Sequence, residues 1–246
     1  MENVTGNEDV HGSTEGAAVD ASTLEAEVRT TIEQGNNVQQ EVRDLTVKAL
    51  SRREHDRESL RHVMTAVMKG VREGAQQKLR LSSEHAPTHT HTQTALTPVR
   101  DAVAGLDAAL AQFAEASKLA LEEAAGRAQQ FSKEELTRLR TDLESVENLF
   151  LEAVQESASA AQDLVEHTLR DLLIHAKRNG TVVGSQLKDT LETLNNQMLS
   201  TGYNQLETGI RLTRAITDQM RQIAAGVLTE IAERVKPRDK PKGYQD

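Results

Sequence analysis

Three histidines, His85, His89 and His91, stand close together in the stretch SSEHAPTHTHTQTALT, and a histidine-rich tract can offer neutral imidazoles to a divalent metal. Glu84 is the nearest carboxylate, and the ordering entropy of a Ser/Thr-rich loop opposes ligation. No metal site is expected there. The adjacent carboxylates Glu122-Glu123 and Glu134-Glu135 diverge around a helix, whereas a general acid and base must share a pocket. Ser157 and Ser159 lie roughly two or more helical turns from His167, so no nucleophile and base are paired by spacing. Cysteine is absent, which removes disulfides, thiolate sites and a cysteine nucleophile. No phosphate loop, dinucleotide fingerprint or zinc-protease motif occurs. The expectation is a protein without catalytic residues, cofactor, metal or small-molecule substrate.

Charge offers a second kind of chemistry. The net charge is −9, yet residues 43–80 hold ten Lys and Arg against five Asp and Glu. This basic bias predicts either complementarity with acidic helices or contact with an anionic partner. No aromatic residue is interleaved with the cations, so base stacking has no support and nucleic acid is a minor alternative.

Helices must position whatever function exists. Aromatics make up 2% of the chain, Trp is absent and Pro numbers 4, a composition that favours long helices with thin seams. The clearest segment runs from Phe131 to Gly180. Ser132 and Glu135 form a capping box, Phe131 and Leu136 a hydrophobic staple, and Asn179-Gly180 a left-handed stop. Between them the stripe Leu136, Leu139, Leu143, Val146, Phe150, Ala153, Ser157, Ala161, Leu164, Thr168, Leu172 and Ala176 repeats about every 3.6 residues, which predicts one straight helix about 70 Å long. The stripe extends upstream through Val99, Val103, Leu106, Leu110 and Phe113.

In chain order, residues 1–21 read as a disordered acidic tail and 22–81 as short helices with the basic bias. Gly35-Asn36-Asn37 forms a break, Asp56 an N-cap, and Leu60, Val63, Met64, Val67, Met68, Val71 and Leu79 an apolar stripe. Residues 82–97 read as a Ser/Thr/His-rich linker. A long-helix region follows over 98–236, with helices at about 98–130, 132–178 and 181–236; Thr97-Pro98 starts it and Pro237 ends it. The last helix carries Val183, Leu187, Leu191, Leu194, Met198, Leu206, Ile210, Ile216, Met220, Ile223, Val227, Ile231 and Val235 on one side, interrupted by Thr213. Residues 237–246 read as a charged, disordered tail. No basic n-region, apolar h-region or run of 18 apolar residues is present, so a cytoplasmic location is expected.

The run EVRDLTVKALSRRE, followed by ASKLALEEAAGRAQQFSKEELTRLRTDLESVENLFLE, resembles an uncharacterised group of proteobacterial helical proteins. The low aromatic content, Ala/Leu stripes and long helices also resemble phasins. That likeness implies a coat on polyhydroxyalkanoate granules or a membrane surface. Residues and resemblance together predict an all-α, elongated, coiled-coil-like bundle with disordered termini. It is expected to be a bacterial, non-enzymatic scaffold that forms a homo-oligomer by burying the stripe from Val99 to Ala176 against other copies.

Overall fold

Two signals in the first third of the chain act as their chemistry dictates. Gly35 (φ 72°) and Asn37 (φ 47°) adopt the left-handed conformation that glycine and asparagine tolerate best, and they separate two helices. The Asp56 carboxylate accepts the Ser59 N–H at 2.7 Å and so satisfies a donor that the helix start leaves open. The computed structural model describes residues 11–52, 56–83, 89–126 and 133–204. Among these the protein is all-α, without a strand: α1 (His11–Gln34), α2 (Val38–Ser51), α3 (Arg57–Ser83), α4 (His89–Gly126), α5 (Lys133–Ala160), α6 (Asp163–Asn179) and α7 (Val182–Asn204).

The spine is α4. Its 38 residues extend about 57 Å at 1.5 Å per residue, and it packs against each of the other six helices. Its inner faces are mostly small or aliphatic, including Val99, Ala102, Leu106, Ala109, Leu110, Ala114 and Leu121, all buried. Small residues let neighbours come close. A Cβ at Gly105 would collide with the backbone carbonyl of Gln39 on α2. The same device joins α1 to α3, where a Cβ at Gly70 would lie 2.5 Å from the Glu25 carbonyl and one at Gly74 would lie 2.8 Å from that of Arg29.

Polar contacts fix directions. Glu25–Lys69 at 2.9 Å and Arg29–Glu73 at 3.6 Å set α1 parallel to α3. Lys78 Nζ donates to the Ile32 carbonyl at 3.2 Å, a cation on the negative end of α1. Val183 reaches Asp107, and Thr190 reaches Ala114; both pairs are 76 residues apart, so α7 runs parallel to α4 in a fixed register. Ser157 donates to the Met68 carbonyl at 3.1 Å inside the core and ties α5 to α3.

Several expected boundaries move. The helix placed over 132–178 is two helices, α5 and α6. Gln162 is extended (φ −122°, ψ 151°) and Asp163 is left-handed (φ 50°). The chain reverses there and α6 returns along α5, bringing Thr181 to Glu147. The 70 Å length therefore does not apply. Ala161 and Val165, both buried, lie four apart across the turn, the same spacing as an unbroken helix, and the small residues from Ser157 to Ala161 let the two helices meet. The stretch 82–97 is not a linker throughout, because α4 begins at His89 and holds Pro98 inside it; burial of Leu96 and Val99 outweighs the hydrogen bond that proline removes. Residues 11–21 are helical rather than a disordered tail: Ala17, Ala18 and Ala21 favour helix, and Ser22-Thr23 falls within α1. The expected tail over 1–10, the capping residues Phe131 and Ser132, and the helix and tail over 205–246 lie outside the described residues.

Candidate functional site

The most elaborate polar arrangement is built at the start of α7. Gly180 (φ 82°) closes α6, and its N–H donates to the Ala176 carbonyl at 2.8 Å. Thr181 then begins the next helix, with its hydroxyl accepting the Gly184 N–H at 2.8 Å and donating to Glu147 Oε1 of α5 at 2.6 Å. Asp107 of α4 accepts the two N–H groups ahead of that turn, Val182 to Oδ2 and Val183 to Oδ1, both at 2.9 Å. One turn on, Gln186 donates to Glu115, and Thr190 donates to the Ala114 and Gln186 carbonyls at 3.1 and 3.0 Å.

A helix start with free N–H groups is a place for an anion. Here the anion is the chain's own carboxylate. Burial pushes the Asp107 carboxyl above the usual 3.8; the Val183 and Val182 N–H bonds oppose that rise, and the nearby Glu147 charge adds to it. With its donors satisfied from within, the node anchors α7 on α4 and α5. Its chemistry is capping.

The other residues with chemical potential do not converge. His85 lies outside the described residues, while His89 and His91 fall in the first turn of α4. Among the described residues no three His, Asp or Glu side chains are grouped to hold a metal. Glu122, Glu123 and Glu134 are exposed and Glu135 is half-buried. Ser157 is buried and bonded to Met68, whereas Ser159 and His167 are exposed on different helices. Of the expected capping set, Leu136 is buried in α5 and Gly180 closes α6. The basic segment turns inward as well as outward: Lys69 pairs with Glu25 of α1, Arg61 with Glu152 of α5 at 3.3 Å, and Arg43 with Asp44 at 3.0 Å. An open cleft of about 530 Å³ between α2 and α4, lined by residues including Gln39, Gln40, Arg43 and Asp101, brings no nucleophile or base together.

Sequence reasoning missed Asp107, which reads as one more acidic residue on the Ala-rich helix. A usable signal existed in Asn179-Gly180-Thr181, where a helix stop is followed at once by a capping residue.

The fold and the node thus define a helical-bundle protein with a long central helix and an internally capped docking helix. The chain belongs to a family of unknown function, DUF6781, whose model matches residues 14–237. No curated protein and no solved structure matches it. No described helix is long and apolar enough to cross a membrane.

Proposed function

We propose that the protein is a non-enzymatic helical scaffold that associates with copies of itself through residues 206–235. Most of the stripe from Val99 to Ala176 is not available for this purpose, Leu164 being exposed. Its members Val99, Leu106, Leu110, Leu143, Val146, Phe150 and Ala153 are buried within the chain's own bundle.

One observation carries the reading. Along α7 Val183, Leu187 and Leu194 are buried and Leu191 and Met198 pack partly buried against the core, while Leu199, on another side of the helix, is 65% exposed; beyond it the sequence continues with Leu206, Ile210, Ile216, Met220, Ile223, Val227, Ile231 and Val235. An apolar residue every three or four positions needs a partner face. A second reading uses the same stripe on an apolar granule or membrane surface, as in the phasin-like expectation. It is favoured by the 3.6-residue average spacing and by Arg211, which a helical projection sets on the opposite side, with Arg214 and Arg221 on the flank.

Light scattering and circular dichroism on the full chain, with and without lipid vesicles or polyhydroxyalkanoate particles, separate the two. A stable oligomer of high helicity in plain buffer supports self-association, with Ile223→Asp returning it to monomer while the bundle melts unchanged. A monomer in buffer that gains helix on the particles overturns that reading in favour of the surface coat.

A further inference from the structure

We infer that the groove along the outer face of α5 binds a small phosphate-bearing molecule, held between Arg57 of α3 and Lys177 of α6. This does not depend on self-association and adds a ligand to the scaffold. Three contacts bring the two cations to one place. Arg61 pairs with Glu152, and Ser157 bonds to the Met68 carbonyl, so α3 runs parallel to α5 and Arg57, one turn before Arg61, stands level with Asn148. Thr181 bonds to Glu147 and α6 returns antiparallel along α5, so Lys177, one turn before Thr181, stands level with Leu151. Both cations line an open groove of about 460 Å³ whose other lining residues belong to α5, within the size range of small-molecule sites.

Charge selects the ligand. The two acids of the groove are matched already, Glu144 by Arg140 at 2.7 Å and Glu152 by Arg61 at 3.3 Å. The acids beside Arg57 in sequence are engaged as well: Asp56 accepts the Ser59 N–H and Glu58 faces His62 at 3.5 Å. Among the described residues neither Arg57 nor Lys177 has an ion-pair or hydrogen-bond partner. Arg57 also stands in the first turn of α3, where the field of the helix disfavours a cation. Two positive charges are left over, and a phosphate monoester carries about −1.5 to −2 near neutral pH. The planar guanidinium can hold two phosphate oxygens, and the ammonium supplies a point charge. Asn148 and Gln155, exposed on the same face of α5, offer amide donors to the rest of the molecule.

Calorimetric titration of the full chain with sodium pyrophosphate at low ionic strength tests the site. Saturable binding of one pyrophosphate per chain is expected. Arg57→Gln and Lys177→Gln should each weaken it several-fold, since each removes a charge-assisted bond. Arg170→Gln takes the same charge from α6, but Arg170 pairs with Glu166 away from the groove, and this variant should bind as wild type does. All three side chains are exposed, so the circular dichroism melts should stay unchanged. Equal weakening by the three variants overturns the site in favour of diffuse charge. Absence of saturable binding at low salt overturns it outright. Equal affinity for citrate overturns the choice of phosphate, and binding confined to vesicles containing phosphatidic acid overturns the small molecule in favour of a lipid surface.

Discussion

Asp107 stands where two demands compete: the first N–H groups of α7 require an acceptor, and burial penalises the charge that makes a carboxylate a good one. Burial prevails in the balance of protonation, since the carboxyl sits above its usual value. A folded state that holds a proton more tightly than the unfolded chain gains most from the group below the ordinary value of 3.8, and loses that gain as pH rises through the raised one. Asp107→Ala strands the Val182 and Val183 donors and is expected to cost about 1–2 kcal/mol, the range of a lost helix cap. In urea unfolding the gap between wild type and Asp107→Ala should be widest near or below pH 3.8 and narrow on going up. A gap that widens with pH contradicts the assignment. No local pattern marks Asp107, because its partners lie 75 and 76 residues away.

At the scale of elements, two positions separate what helix propensity says from what packing imposes. Gly105 lies inside α4, where alanine alone would favour the helix by about 1 kcal/mol. The Gln39 carbonyl, however, occupies the space its Cβ would need. Gly105→Ala is therefore expected to destabilise the protein, by about 1–3 kcal/mol as an overpacked contact; a rise in melting temperature would show that α2 yields. Asp163 tests the break between α5 and α6. With φ at 50°, Asp163→Gly meets no steric penalty and should change stability by less than about 0.5 kcal/mol. In an unbroken helix that change would cost only about 0.3 kcal/mol, so Asp163→Ala is the discriminating variant in chemical denaturation: at this positive φ it should cost about 1 kcal/mol, whereas in an unbroken helix alanine is favoured over aspartate by up to about 0.7 kcal/mol. The break at Gly35 and Asn37 and the helix start at Asp56 were legible because each is a residue whose own side chain or backbone freedom makes the boundary. The stop at Gln162 was not, because it keeps the four-residue apolar step and uses residues with no strong preference. Pro98 misled in the opposite sense, marking a helix start where burial of Leu96 carries the helix through.

For the whole molecule, the controlling fact is that one helix touches all the others. Leu110 of α4 is completely buried, and Leu110→Ala should cost about 2–5 kcal/mol, as a cavity in a shared core does. Because every described helix leans on α4, the loss should appear as one cooperative shift in the circular dichroism melt, with no separate transition for α1–α3. By itself the sequence determined the helical class, the early turns and the buried stripe of α3, since these follow from composition, period and residues that act locally. Only the tertiary structure decided that the rod predicted over 132–178 folds into a hairpin, that the basic segment is partly matched by acids of α1 and α5, and that most of the stripe from Val99 to Ala176 is buried inside one chain. The reason is physical: an apolar period records that a face is buried, but the partner that buries it is chosen by contacts between residues far apart in sequence.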